Sequence, residues 1–290
     1  MRFSGATDGI IQNSSIGTTF SAGKAISITA GANRNRAINN TVMAGGSANG
    51  IYIDGGSNVS VDCQGSAITG ANASATYGIY SDQINTTVQN CQVSNFSTGI
   101  YFNGADNGTI NNTSSSTTRA PSGSGGYAIY LYNGASYNQI INSNGTATNG
   151  YGIVLSTGSI YNSITGCIGS TGASAGIQID TGSNNTRIEG STGAAADGYG
   201  MLITMSANST ILNSNATTAG NGSGIWINAS QNSQLSNIIG TLNSGYSAIR
   251  ISLGENSTII NASASSNSAA GLRIDQNSKM SAQAQQLLDL

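Results

Sequence analysis

Two aspartates, Asp54 and Asp82, are the residues whose type and spacing come nearest to a catalytic pair. Each lies three residues after an isoleucine, Ile51 or Ile79, in a short segment that recurs along the chain. If successive segments stack, the two carboxylates stand about 5 Å apart, which suits paired-acid glycoside chemistry or a hard cation. Only these two aspartates stack in this way, at a strand end where exposed Asp is ordinary. We therefore predict no catalytic residue, with Asp54 and Asp82 as weak candidates, and no metal or cofactor.

A row of tyrosines is the second candidate site. The residue after the lead isoleucine is a tyrosine in four successive segments, namely Tyr52, Tyr80, Tyr101 and Tyr130. By strand alternation these rings point outward while the isoleucines point inward. Outward rings can stack on sugar rings, or they can form a ladder that covers the sheet and stabilises cross-strand neighbours. Both interpretations stay open, and the four tyrosines are the predicted ligand-binding residues.

Other chemistries find little support in the residue types. The chain has no histidine, so no Cys–His pair can activate a nucleophile. Cys63 and Cys91 lie in adjacent segments and are able to approach each other, but we favour buried thiols that fill small gaps.

Two apolar columns recur with one period. The lead column is spaced by 24 residues at every step from Ile129 to Ile249, and a second column follows it. The lead residues are Ile26, Ile51, Ile79, Ile100, Ile129, Ile153, Ile177, Met201, Ile225, Ile249 and Leu272. The second column is Ile11, Ile38, Val61, Val88, Ile110, Ile140, Ile164, Ile188, Ile211, Leu235 and Ile259. Two columns with one period indicate a repeat architecture.

The local pattern within each repeat is that of short strands. In Gly50-Ile51-Tyr52-Ile53-Asp54 the isoleucines alternate with polar or aromatic residues, which predicts a strand with one buried face. Such short strands cannot bury their apolar face alone, so successive turns of the chain must stack. The sequence resembles the right-handed parallel β-helix family over about residues 8–278; the family includes carbohydrate-binding and sugar-hydrolase repeats, pectate-lyase-like enzymes and tailspikes. The resemblance implies an all-β, right-handed parallel β-helix of about 11 coils.

The two ends depart from the pattern in different ways. Residues 1–279 are predicted to form the β-helix, and 280–290 a tail or cap rich in helix formers, which allows a short C-terminal helix. The first coil begins almost at the N-terminus with no obvious cap, which exposes unpaired strand edges. We therefore expect self-association at the N-terminal coil.

Composition narrows the class of function. Charged residues are only 7% of the chain and the net charge is −2, so no basic patch is available for nucleic acid. No apolar run is long enough to span a membrane. Asn-x-Ser/Thr sequons are frequent and make the chain a candidate glycoprotein. We predict a non-catalytic structural or adhesive rod outside the cell or on a cell or virion surface, self-associating as a filament or appendage and able to bind glycans. The alternative is a polysaccharide lyase or glycoside hydrolase of the tailspike or pectate-lyase-like type.

Overall fold

The chain is wound into a parallel β-solenoid with three faces. The computed structural model describes residues 1–120, 126–275 and 278–282. Each coil contributes one strand to each face, and every pairing joins parallel strands of neighbouring coils. The predicted fold class is confirmed.

The main sheet holds twelve strands, in the order in which they occur along the chain. They are β1 (Arg2–Ser4), β4 (Lys24–Thr29), β7 (Asn49–Ile53), β10 (Tyr77–Ser81), β13 (Thr98–Asn103), β16 (Tyr127–Tyr132), β19 (Tyr151–Leu155), β22 (Ala175–Ile179), β25 (Tyr199–Thr204), β28 (Ser223–Asn228), β30 (Ser247–Ser252) and β32 (Ala270–Ile274).

The second and third faces are built from shorter strands. The second face holds β2 (Ile10–Gln12), β5 (Arg36–Ile38), β8 (Ser60–Asp62), β11 (Thr87–Gln89), β14 (Thr109–Asn111), β17 (Gln139–Ile141), β20 (Ser163–Thr165), β23 (Arg187–Glu189), β26 (Thr210–Leu212) and β33 (Lys279–Ala282). The third face holds β3 (Ser15–Thr18), β6 (Thr41–Ala44), β9 (Ala67–Thr69), β12 (Gln92–Ser94), β15 (Ser114–Thr117), β18 (Asn144–Ala147), β21 (Ile168–Thr171), β24 (Thr192–Ala195) and β27 (Asn215–Thr218). Two long strands, β29 (Gln234–Leu242) and β31 (Glu255–Ser266), run through both faces and join them into one sheet.

The interior of the rod is the stack of apolar columns that the sequence predicts. The lead residues from Ile26 to Ile249 are at most 1% exposed, and Leu272 packs against the end of the same cluster. The second column is also buried, except that Ile38 is wrongly placed in it. Ala37, not Ile38, pairs with Ile11 and Val61 and is 2% exposed. The shift arises because Arg34 adopts the left-handed turn conformation (φ 54°) that the next coil gives to Asn58.

Asparagines hold the corners between faces. Asn58 and Asn85 have φ values of 56° and 60°, in the left-handed region that asparagine tolerates. The amide of Asn85 donates to Asn58 Oδ1 at 2.9 Å, which links one coil to the next. A second ladder at another corner includes the sequon residues Asn13 and Asn261, so those amides already have structural partners.

Close coil-to-coil contact explains the glycines before the lead residues. A Cβ atom on Gly176 would lie 2.8 Å from the carbonyl oxygen of Gly200, and one on Gly200 would lie 2.7 Å from that of Gly224. Larger residues would push the main-sheet strands apart, so these positions are restricted to glycine or alanine.

The cysteines differ from expectation. Cys63 and Cys91 form a disulfide between adjacent coils, so the preference for two buried thiols is wrong. The two coils place the cysteines at the same corner, with their Cα atoms 4.8 Å apart. Cys167 is a buried free thiol whose pKa is raised by burial.

The two ends are described to different extents. At the N-terminus, Phe3 packs against the interior cluster, while β1, β2 and β3 each pair with a neighbour on one side only. At the C-terminus, Lys279–Ala282 pairs with β31 as a strand, and the remainder of the expected helix lies outside the described residues. In the described part of the chain, no helix has the length and apolarity that a membrane crossing requires.

Candidate functional site

The outer surface of the main sheet carries an aromatic patch in its N-terminal half. It combines the predicted row with tyrosines at other outward positions of the same strands, and we call it the tyrosine surface. Its members are Tyr52, Tyr77, Tyr80, Tyr101, Tyr127, Tyr130, Tyr132 and Tyr151. These rings and Val154 form a hydrophobic cluster separate from the interior, as expected for side chains on the opposite side of the sheet.

The rings contact one another along the rod axis. Tyr52 and Tyr80 are stacked with centroids 4.2 Å apart and an interplanar angle of 11°. Tyr127 lies 4.1 Å from Tyr130 and 5.4 Å from Tyr151, again nearly parallel in both pairs. Such pairs contribute stability beyond simple burial, so the tyrosine surface is also a ladder that braces the sheet.

The predicted binding tyrosines are more deeply placed than an outward position suggests. Tyr80 is 7% exposed, and Tyr101 and Tyr130 are each 5% exposed, because neighbouring rings cover them. The accessible rim is made by half-buried rings, of which only Tyr52 was predicted; the others are Tyr77, Tyr127, Tyr132 and Tyr151. The sequence does hold a signal for three of them, since Tyr77, Tyr127 and Tyr151 each stand two residues before a lead isoleucine.

Burial sets the protonation of these phenols. It raises the pKa of Tyr52, Tyr101 and Tyr130 well above the ordinary range, and adjacent tyrosines raise it further. The phenols therefore stay neutral at any physiological pH and remain able to donate hydrogen bonds.

The two candidate carboxylates lie at the edge of the tyrosine surface, on adjacent coils. Asp54 forms an ion pair with Lys24 (Nζ–Oδ2 3.3 Å), and the same ammonium lies 3.6 Å above the ring of Tyr52. Asp82 accepts a 3.4 Å hydrogen bond from the Tyr80 hydroxyl and another from Gln83. Asn103 donates to that hydroxyl at 3.1 Å, which orients the phenol proton toward Asp82.

Four buried acceptor atoms on this face have no hydrogen-bond partner among the described residues. They are Asp54 Oδ1, Asn103 Oδ1, Gln178 Oε1 and Asp180 Oδ1. The other unpartnered side-chain atoms in the described part of the chain are Ser and Thr hydroxyls. Sequence reasoning missed Gln178 and Asp180, although they occupy the outward positions that Tyr130 and Tyr132 hold two coils earlier.

A different group occupies the C-terminal end of the same face, and we call it the arginine cluster: Trp226, Tyr246, Arg250, Arg273 and Asp275. The Arg250 guanidinium lies 5.0 Å from the Trp226 ring and 5.4 Å from the Tyr246 ring. Asp275 pairs with both arginines, at 2.7 Å to Arg250 and 2.6 Å to Arg273. Hydrogen bonds from Ser252 and these arginines lower the pKa of Asp275 to about 2.

Two clefts lie away from the main sheet. One, of about 260 Å³, is lined by Gly65, Asn90, Gln92, Asn112, Thr113, Ser114, Asn142 and Asn144. The other, of about 340 Å³, is lined by Ala67, Gln92, Val93, Ser94, Ser114 and Ser116. Neither lining contains a titratable side chain, so these clefts lack the groups for acid–base chemistry. Within the described ranges, no three His, Cys, Asp or Glu side chains converge as metal ligands.

The fold and the sequence agree on the family. The sequence matches the family model described as right handed beta helix region over residues 77–222, half of the chain. The chain belongs to the right-handed β-helix family. No curated protein matches the sequence.

Solved structures with the same fold are distant in sequence. The A-module of a mannuronan C-5 epimerase, AlgE6, from Azotobacter vinelandii is 12% identical with a TM-score of 0.61, and the match covers 95% of this chain and 89% of that one. The periplasmic alginate epimerase AlgG is 11% identical with a TM-score of 0.56, covering 89% of this chain and 70% of that one.

These comparisons correct the predicted function. The prediction of a non-catalytic structural or adhesive rod is wrong, because the solved structures that share this fold are epimerases of mannuronan and alginate. The alternative, an enzyme acting on a polysaccharide, fits the findings better.

Proposed function

We propose that the protein cleaves a polysaccharide, as a glycoside hydrolase or a lyase, bound along the outer face of the main sheet. The observation that carries this proposal is the accessible aromatic rim beside Asp54 and Asp82. Aromatic faces stack on the apolar faces of sugar rings, and the carboxylates supply acid–base groups at the same place.

The rim suits an extended chain rather than a single sugar. Its rings occupy five successive coils from β7 to β19, and coils in such a stack are about 4.8 Å apart. A glycan lying along the rod axis therefore meets one outward position per coil. The phenols that remain neutral supply donors to the oxygens of the sugar chain.

The arrangement of Asp54 and Asp82 is compatible with paired-acid chemistry. The Asp82 amide donates to the carbonyl of Ile53, which places Asp82 beside Asp54 on the next coil. Carboxyl groups about 5 Å apart suit a retaining hydrolase, in which one protonates the glycosidic oxygen and the other attacks the sugar. In a lyase, one of them removes a proton beside a uronate carboxyl. Asp82 is oriented by Tyr80, and Asp54 by Lys24.

Product analysis on a defined panel tests the proposal. The panel holds α-1,3-glucan, β-1,3-glucan, β-1,4-glucan, mannan, xylan, polygalacturonate and alginate, with reducing ends and unsaturated uronates as readouts. We expect at least one polymer to be cleaved, and Asp54→Asn and Asp82→Asn each to reduce the rate by about 10²-fold or more. Asp8→Asn, an exposed aspartate paired with Arg34 at the first coil, is the matched control. No product from any polymer, or full activity in both variants, would contradict the proposal.

The place of action follows from the substrate. A polymer-cleaving protein meets its substrate outside the cytoplasm or at a cell or virion surface. The Cys63–Cys91 disulfide supports this location, because such bonds persist in oxidising compartments.

Association between copies at the first coil is a further part of the proposal. Strands β1, β2 and β3 each leave one edge unpaired, and Phe20 nearby is 78% exposed. Open edges gain main-chain hydrogen bonds when they meet a matching strand. Light scattering over a wide concentration range tests this, and a monomer at the highest concentration would contradict it.

A further inference from the structure

The unpartnered acceptors on the main sheet point to the class of sugar that binds there. We propose that Gln178 and Asp180 form a subsite for the hydroxyl groups of a neutral polysaccharide, which makes the protein a hydrolase rather than a lyase. This inference rests on the proposed function and names the substrate for the same face.

Gln178 is the decisive residue. It is only 8% exposed, yet its Oε1 has no partner among the described residues. A buried amide oxygen without a hydrogen bond costs free energy, so its position makes physical sense if a ligand supplies the donor. Asp180, two residues further on the same outer side, has a second unpartnered oxygen, Oδ1.

The neighbours of the pair resemble a sugar-binding environment. Val154 and Leu202 are the register partners of Gln178 on the two adjacent coils and offer apolar contact. The Asp180 carboxylate acts on the Tyr127 phenol strongly enough to help raise the pKa of that phenol, so the rim and the acceptor pair adjoin. A pyranose ring presents both features at once, with C–H groups on its faces and hydroxyl donors around its edge.

Charge on the face opposes an acidic polymer. Between β4 and β22 the outer face carries Asp54, Asp82 and Asp180 against the single cation Lys24, and Lys24 is already paired with Asp54. A polyuronate would bring further carboxylates to these acceptors. The two arginines of the arginine cluster lie three and four coils beyond Gln178, and both are paired with Asp275.

The class of sugar decides the chemistry. β-Elimination needs a carboxyl group at C6 to acidify the proton at C5, and a neutral hexose has none. Hydrolysis remains: the C1–O glycosidic bond breaks, water supplies hydroxide to C1, and a proton passes to the leaving oxygen. Asp54 and Asp82 supply the acid and the nucleophile or base for that exchange.

Binding measurements on the full chain test the subsite. Soluble β-1,3-glucan, mannan and xylan are compared with polygalacturonate and alginate by affinity electrophoresis, in the parent, Gln178→Leu and Asp180→Asn. We expect tighter binding of a neutral polymer, weakened about 3- to 10-fold in Gln178→Leu. The control Gln139→Leu, on the exposed second face, leaves the affinity unchanged. Because the Gln178 amide oxygen has no protein partner, the melting temperature of Gln178→Leu equals or exceeds that of the parent.

The other outcomes separate the two proposals. Tighter binding of polygalacturonate or alginate overturns the neutral class and leaves the proposed function intact. Neutral binding that is lost in Tyr127→Ala but kept in Gln178→Leu overturns the subsite alone. Binding and cleavage of no polymer overturn both proposals. A melting temperature that rises with CaCl₂ in the parent but not in Asp180→Asn shows that the acceptors hold a cation instead.

Discussion

The two halves of the rod share one interior but differ in the regularity of their coils. In the first half, successive lead residues are 25, 28, 21 and 29 residues apart, from Ile26 through Ile51, Ile79 and Ile100 to Ile129. In the second half, every step from Ile129 to Ile249 is 24 residues. The buried columns run through both halves without interruption.

The features that could do chemistry lie mostly in the uneven half. It holds the candidate carboxylates, both clefts, the disulfide and all of the tyrosine surface apart from Tyr151. The even half holds the acceptor pair at its start and the arginine cluster at its end, where opposite charges neutralise each other. The comparison teaches that departures in coil length, which an invariant interior tolerates, coincide with the surfaces available for binding.

The largest expected effect tests whether the interior is the same in both halves. Ile129→Ala and Ile249→Ala remove side chains that are fully buried, so each should lower the free energy of unfolding by about 2–5 kcal/mol. Urea unfolding followed by circular dichroism measures this. Ile168→Ala, at a position 47% exposed, should change stability by less than about 0.5 kcal/mol. A clear difference between the two buried variants would break the view of one continuous core.

The disulfide should stabilise one half only. Its loss in the Cys63→Ser/Cys91→Ser double variant should cost about 2–4 kcal/mol, because it closes a loop across two coils of the uneven half. Hydrogen exchange should rise in residues 49–111 and stay unchanged in 177–252, since coils contact mainly their neighbours. Added reductant should reproduce the shift in the parent and do nothing further to the variant. Equal loss of protection in both halves would show that the rod unfolds as one unit.

Aromatic substitutions should separate the two ends of the main sheet. Tyr127→Ala should weaken polysaccharide binding by about 1–3 kcal/mol, as expected for a well-used aromatic anchor. Trp226→Ala should matter less, because Arg250 and Tyr199 already pack against that indole. Tyr137→Ala is the matched control, since Tyr137 stacks on Tyr161 away from the main sheet. A larger loss in the Trp226 variant would move the binding site to the arginine cluster.

The smallest effects concern pH and have opposite directions in the two regions. Tyr101 and Tyr130 have raised pKa values when folded, so their stabilising contribution is complete below about pH 10 and is lost as pH rises further. The pKa of Asp275 is lowered to about 2 when folded, so its contribution is present above about pH 4 and is lost as pH falls toward 2. Melting temperatures across both ranges measure the two slopes.

Two variants assign those slopes to their residues. Tyr130→Phe should flatten the alkaline slope alone, and Asp275→Asn the acid slope alone. If Tyr130→Phe leaves the alkaline slope unchanged, ionisation of the tyrosine surface is not its cause.

The sequence predicted the fold well because the evidence for it is repeated in every coil. The error at Ile38 arose where Arg34 replaces the usual corner asparagine, so that counting back from the apolar residue gave the wrong register. The site was harder to predict. The depth of Tyr101 depends on rings from neighbouring coils, and the unpartnered state of Gln178 depends on every donor around it. Neither property follows from the residues of one strand.

The constant step of the second half also bears on the length of the rod. Between Ile153 and Ile225, each coil places the same kind of residue against the same neighbours, including the glycines whose Cβ atoms would strike the next carbonyl. Duplicating or deleting one complete 24-residue unit there would preserve every corner and every face, and would change the rod by about 4.8 Å. An insertion of any other length would have to bulge out as a loop. This segment thus acts as an adjustable spacer, whose extent can be altered in whole coils while the tyrosine surface stays untouched.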